Sequence, residues 1–226
     1  MLGDALAGLA GCRRCPRLVH HIAQLTPQRG RAREDYWNAP VPGFGDPQAR
    51  LCLVGLAPGA HGANRTGRPF TGDGAGDFMY PLLHRAGLAS QGQIFDREDG
   101  LVLNDLYITN AVKCLPPENK PVPEEFAACR PYLAEELASL PRLKVIIALG
   151  QGAWTTLLRH FQAQGAIRRL AAHPFGHGVL CRLPGLPLLL ASYHTSRYNV
   201  QTGRIDAPMF LELLARARRL ADGENG

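Results

Sequence analysis

Six cysteines, at positions 12, 15, 52, 114, 129 and 181, are the first residues in this sequence whose spacing could do chemistry. Cys12 and Cys15 form a C-x-x-C knuckle, which turns two thiolates toward one metal. Cys114 opens the loop CLPPENKP, and Cys129 follows in the next helical stretch. Cys52 and Cys181 lie inside the apolar runs LCLVGL and VLCRLPG and read as core thiols. One pair and two singles remain for a metal. A zinc ribbon usually shows two knuckles, so this layout fits it poorly. A Cys₄ iron–sulfur cluster has looser spacing and fits better, with free thiols as the third reading.

A second group is polar. Asp73 precedes a helical stretch, where it can cap the helix and also present a carboxylate. His194 ends an apolar run and is followed by Thr195, Ser196 and Arg197. An imidazole there can donate to a developing anion or move a proton, or it can be a hydrogen-bonded core histidine. Thr195 and Ser196 can bond phosphate, with Arg197 and Arg204 adding charge. Asn110 closes another apolar run and carries one acceptor and two donors, enough to read one edge of a base. Asn119 could do the same or simply make a turn. Between 55 and 76 stand seven glycines, at 55, 59, 62, 67, 72, 74 and 76. Glycine permits close backbone approach to a ligand. The stretch has neither the Gly-Lys-Ser/Thr of a phosphate-binding loop nor a dinucleotide fingerprint opening into a helix. Phe70 within it offers an aromatic face to a flat ligand, or anchors the loop in the core. Arg65 and Arg68 flank it.

The elements that must position these residues follow from apolar periodicity. Four short runs read as buried parallel strands: 51–56, 101–109, 145–149 and 187–193. Helical patterns lie between and after them, at roughly 75–87, 124–140, 151–163 and 206–221. Strand and helix alternate, which predicts an α/β fold: a three-layer α/β/α sandwich around a central four-stranded, mainly parallel sheet. In such sheets ligands bind outside the carboxyl ends of the strands. Each chemistry-bearing loop begins at such an end.

Composition sets the outer limits. The chain has 226 residues and a formal charge of +6, with 22 arginines among its 25 cationic side chains. Arginine suits phosphate because its planar fork bonds two oxygens at once, so nucleic acid leads the candidate partners. A biased genomic composition would give the same excess. A hydrophobic fraction of 46% excludes general disorder. No apolar run approaches the length of a membrane span, and the start of the chain does not read as a signal peptide. A cytoplasmic address and reduced cysteines are expected. One domain covering 1–226 is expected, with residues 1–45 as a lobe packed on it.

At these residues the sequence resembles the uracil-DNA glycosylase superfamily. It most resembles family 5, the type B enzymes that carry a [4Fe–4S] cluster. The resemblance runs through CRRC, VPGFGD, GLAPGAHGANRTGRPFTGDG, YITNAVKCLPPENKP, CRPYL, AHPFGHG and ASYHTSR, in order, over nearly the whole chain. It implies that Cys12, Cys15, Cys114 and Cys129 hold the cluster. It implies that the GLAPG loop, with Gly55 and Ala57, and Phe70 enclose a flipped base. It places His194 in the motif resembling the His-Pro-Ser loop of other families, and it matches Asn110 to the base-reading Asn of the type A enzymes. Two positions depart from the superfamily pattern. Leu56 and Ala57 stand where most members carry an acid or Asn that handles water, which leaves Asp73 as the nearby acid. Thr195 stands where many relatives have Pro. The implied activity is excision of uracil from DNA; the absence of lysine from the site motifs adds that it is monofunctional, the apolar Leu56 and Ala57 add other deaminated bases such as hypoxanthine, and a monomer acting on double-stranded and single-stranded DNA is expected. The rival expectation is a non-catalytic iron–sulfur nucleic-acid binder, which leaves Asp73 and His194 unexplained.

Overall fold

The computed structural model describes residues 8–224. Its sheet has six strands: β1 (Phe44–Gly45), β2 (Leu51–Gly55), β3 (Leu106–Asn110), β4 (Val145–Leu149), β5 (Leu180–Cys181) and β6 (Leu188–Ser192), in the order β1-β3-β2-β4-β6-β5. The four inner strands are parallel, in the register Gly55↔Asn110 and Leu149↔Ser192. They are the four apolar runs of the sequence. Two antiparallel two-residue strands add an edge on each side. Elements that short carry no periodicity, so the expected four-stranded sheet gains two strands that the sequence did not signal. The second run also splits. Residues 101–105 stay outside the parallel sheet, with only a bridge from Leu103 to Ala89.

Side-chain alternation along the strands divides the core in two. Leu51, Leu53, Leu106, Ile108, Val145 and Ile147 face helices α3 (Gly74–Arg85) and α7 (Ala207–Ala221), the four-residue α2 (Ala63–Thr66) lying in the loop after β2. Cys52, Val54, Tyr107, Ile146 and Ala148 face α4 (Pro123–Ala138) and α5 (Gln151–Ala163). The result is the expected three-layer sandwich. A third apolar cluster, outside the sheet, gathers Leu18 and Ile22 of helix α1 (Pro16–Ala23) with Val112, Leu115, Tyr132 and four cysteines.

The chain leaves β2 for β3 on one side, then returns past β2 to β4. Strand order therefore reverses at β2, and the crevice above its carboxyl end is the natural ligand site. Among the described residues no helix is long and apolar enough to cross a membrane.

Candidate active site

A cleft of about 370 Å³ opens above the carboxyl end of β2. Its walls include Leu56, Ala57, Phe70, Asp73, Asn110, Asn119, His194, Ser196 and Arg197. Three separate strand-end loops, after β2, β3 and β6, thus bring together nine residues, all of them singled out in the sequence.

Asp73 does two things at once. Its Oδ1 accepts from the backbone N–H groups of Ala75 and Gly76, at 3.1 and 3.0 Å, and so caps α3. Its Oδ2 lies against Gly62, where a Cβ would collide with the carboxylate. A glycine at 62 is what lets the loop wrap this oxygen so closely. The cap fixes the carboxyl plane and leaves the second oxygen to the cleft.

Phe70 is 5% exposed and holds φ +54, an uncommon conformation for a bulky residue. Its ring and the amide of Asn110 converge over Gly55. A Cβ there would strike the Phe70 ring at 2.5 Å and Asn110 Oδ1 closer still. Asn110 is 3% exposed, and its Oδ1 has no hydrogen-bond partner among the described residues. A buried acceptor left open is costly unless a ligand completes it. His194 stacks at a tilt against Phe70, with 6.0 Å between ring centroids. Its backbone oxygen accepts from Asn199 Nδ2 at 2.8 Å. Burial pushes the imidazole pKa below its ordinary value, against the pull of the Asp73 charge, so His194 is a neutral donor at neutral pH. Asn119 is exposed at the cleft rim.

Two expected phosphate contacts are corrected by burial. Arg68 is 2% exposed and forks onto Asp99, Nη1–Oδ1 2.8 Å and Nη2–Oδ2 2.7 Å, while its Nε donates to Thr71 Oγ1 at 2.9 Å. It braces the residues on either side of Phe70 instead of meeting DNA. Tyr80 adds a hydrogen bond to Pro69 O, at 2.9 Å. Strained backbone persists where its surroundings over-determine it, and this network does so. The spacing of Arg68 could not reveal its distant partner, 31 residues on. Thr195 is fully buried, so its hydroxyl does not meet a phosphate at the surface. Arg65 is partly buried. It donates to His61 O at 2.8 Å and lines a separate hollow beside Trp37 and Arg97. Ser196 lines the cleft and caps helix α6 (Arg197–Gln201) through Asn199 N. Arg197 lies on the rim, and Arg204 is exposed with its guanidinium 4.7 Å above the Tyr193 ring. Sequence reading missed Tyr198, a 73% exposed aromatic next to Arg197. Its signal was an aromatic in an otherwise polar run.

Lys113 stands between Asn110 and Cys114, yet it is fully buried. Its Nζ donates to Glu136 and to Thr109 Oγ1, and Glu136 Oε1 accepts from Gly43 N at 2.9 Å. That amine is not offered to the cleft.

Cys12, Cys15, Cys114 and Cys129 meet in the third apolar cluster. The thiols sense one another. Burial, with the neighbouring sulfurs adding to it, pushes the Cys114 thiol pKa up to about 12; burial pushes that of Cys129 up to about 11, against the lowering pull of the Lys113 N–H and charge. Lys113 N donates to Cys129 Sγ at 3.2 Å, and a hollow of about 190 Å³ opens between Cys12 and Cys114. Among the described residues no three His, Cys, Asp or Glu side chains close on one point as a mononuclear metal set. A Cys₄ cluster gives each thiolate a different iron, so its sulfurs need not do so. Soft donors, an apolar wall and a hollow beside them fit such a group. Cys52 and Cys181 are buried elsewhere, Cys181 with its sulfur 3.3 Å from His173 Nδ1.

Comparison with known proteins adds an independent finding. A family model for the uracil DNA glycosylase superfamily matches residues 42–218. The type-5 uracil-DNA glycosylase of Thermus thermophilus is 54% identical, covering 94% of this chain and 95% of that protein. The type-5 enzyme of Mycobacterium tuberculosis is 44% identical over 93% of this chain and 78% of its own. That of Pyrobaculum aerophilum is 41% identical over 95% and 91%.

Proposed function

The chain belongs to the uracil DNA glycosylase superfamily, and from that premise we propose that it hydrolyses the N-glycosidic bond of uracil in DNA, opening base excision repair. The observation that carries the reading is the unpartnered, buried Asn110 Oδ1 beside the Phe70 ring. An acceptor there needs a donor. Deamination turns a ring nitrogen that accepts into an N–H that donates, next to a new carbonyl. The Asn110 amide can take both, Oδ1 from the N–H and Nδ2 to the carbonyl. Cytosine and adenine present an acceptor at that place and are refused.

Such an edge is common to uracil and hypoxanthine. Leu56 and Ala57 add no polar group to the wall, and Phe70 accepts any flat ring. We therefore extend the substrate class to hypoxanthine. The target nucleotide leaves the stack at a cost of a few kcal/mol. Tyr198, exposed beside the rim, supplies a ring to stack where the base had been, and Arg197, Arg204 and Ser196 take phosphates. The bond between C1′ and the base nitrogen breaks with its electron pair passing to the base. Neutral His194 donates to the base anion. Asp73 Oδ2 faces the positive sugar and receives a proton from the water that bonds to C1′. Lys113 is buried against Glu136, and Lys120 on the rim pairs with Glu118, so neither amine is given to a Schiff base and the strand is left uncut.

Cys12, Cys15, Cys114 and Cys129 would hold a [4Fe–4S] cluster, which supplies a covalent staple between the N-terminal lobe and the loop after β3. We read residues 1–226 as one domain, acting as a monomer in the cytoplasm on double- and single-stranded DNA.

The test is incubation with duplexes carrying uracil or hypoxanthine, followed by alkali to cut abasic sites. Excision of both is expected. Excision of neither overturns the activity, and strict confinement to uracil overturns the wider class. Iron analysis of anaerobically purified protein tests the cluster, with about four iron per chain expected.

A further inference from the structure

The loop after β3 carries a feature that base reading by itself does not explain. Glu118 and Asn119 are consecutive residues in the left-handed region, at φ 53 and 56. Asn tolerates that conformation; for Glu it is uncommon, and its local contacts are only a turn bond and an exposed pair with Lys120 Nζ at 3.0 Å. Residues held there persist only when the structure around them fixes both ends of the segment.

Both ends of this segment root in the cysteine lobe. At the near end, Cys114 and Leu115 are buried in the lobe's apolar cluster. At the far end stands Arg17, two residues past Cys15 on α1. Its Nη2 donates to the backbone oxygen of Lys120 at 3.1 Å. Its Nε and Nη2 also fork onto Glu125 Oε1 and Oε2, both at 2.8 Å. Glu125 Oε2 in turn accepts from Val122 N at 2.9 Å. One guanidinium thus ties the residue after Asn119, the start of α4 and the knuckle helix together. A bidentate Arg–carboxylate pair with a nearly buried acid holds its geometry far better than an ordinary surface pair.

We propose that Arg17 is a positioning residue for Asn119, and that the cysteine lobe acts as a clamp on the cleft rim. Recognition of the flipped base then depends on the integrity of a lobe that meets the base pocket only from behind, through Ala57 and the segment ending in Asn119. The proposal rests on the reading of Asn119 as a base contact. A lobe loosened at its thiols releases Asn119, which weakens binding and leaves Asp73 and His194 in place.

The experiment uses the full chain, with Arg17→Ala, Asn119→Ala and the double variant, each checked for iron content. Hydrogen exchange reads the clamp directly. The amides of Asn119 and Lys120, bonded to Pro116 O and Pro117 O, should exchange at least severalfold faster in Arg17→Ala, with those of β2 and β4 unchanged. On a uracil duplex, Arg17→Ala should raise KM roughly two- to tenfold with kcat nearly constant, and it should add nothing once Asn119 is Ala. Arg17→Lys, which keeps charge but not the fork, should recover only part of the loss. Unchanged exchange overturns the clamp. Accelerated exchange with additive KM effects overturns its action through Asn119. A silent Asn119→Ala overturns the reading of Asn119 itself.

Discussion

Two stretches of left-handed backbone line the cleft, and they are secured in different ways. Phe70 sits on a buried lattice. Arg68, Asp99, Thr71, Thr66 and Tyr80 bind one another and the neighbouring backbone, four of them buried and Asp99 with its side chain nearly so. Glu118 and Asn119 are exposed; beyond two turn bonds and an exposed Glu118–Lys120 pair, their segment is held at its ends, one by packing and one by a half-exposed arginine. The floor of the cleft is therefore fixed before any ligand arrives, while the rim can give. A fixed floor suits the ring-shape and hydrogen-bond test applied to a base. A yielding rim suits a nucleotide that must swing in from a duplex.

The largest effect should come from the floor's carboxylate. Asp73→Asn keeps the cap on α3, since the amide oxygen can still accept from Ala75 and Gly76. It removes the charge facing the sugar. Single-turnover excision should fall by about 10²–10⁴-fold, the span of a positioned acid–base group, with duplex affinity retained. Near-wild-type rates would move catalysis away from the floor.

Next is the lattice under Phe70. Asp99→Ala strands a buried guanidinium, which should lower unfolding stability by about 3–5 kcal/mol, read from the denaturant midpoint. The equivalent change at the rim, Arg17→Ala, should move that midpoint much less, because the arginine removed is 41% exposed and no buried cation is left behind. Equal losses would erase the distinction between floor and rim.

His194→Ala should slow excision by about 10²–10³-fold, the value of one donor to a developing anion. Its pH dependence has a defined sign. The folded pKa is depressed, so between that value and the ordinary 6.5 the unfolded chain binds more protons than the folded one. Stability from this residue is complete above about pH 6.5 and declines as pH falls toward the folded pKa. Removing the Asp73 charge should depress the pKa further, since Asp73 raises it. Titration of the His194 ring by NMR in Asp73→Asn checks this, and an upward shift would refute it.

Much of this was legible in the sequence. The four inner strands, the main helices and the collection of Asp73, Asn110 and His194 at strand ends follow from apolar runs and from what stands after them. What escaped did so for physical reasons. Two-residue edge strands have no period. Arg68 and Asp99 are 31 residues apart, and neither type announces a buried partner, so Arg68 read as a surface cation. Thr195 shares a polar run with Ser196 and Arg197, yet the chain turns its hydroxyl inward. The left-handed pair at 118 and 119 is a backbone property with no side-chain signature at Glu118.

The smallest expected effect separates the arginines themselves. Counterion release makes duplex affinity fall with salt in proportion to the number of phosphates contacted. Arg197 lies exposed on the rim, whereas Arg68 is locked to Asp99 below it. Arg197→Ala should reduce the log–log salt slope by about one. Arg68→Ala, assayed where it remains folded, should weaken binding without changing the slope, because a buried, paired guanidinium releases no counterion from DNA. Arg204→Ala should behave as Arg197→Ala does, with an added loss from its contact with the Tyr193 ring. Slopes from titrations between low and physiological salt decide it. A full unit lost with Arg68 and none with Arg197 would reverse the assignment of floor and rim.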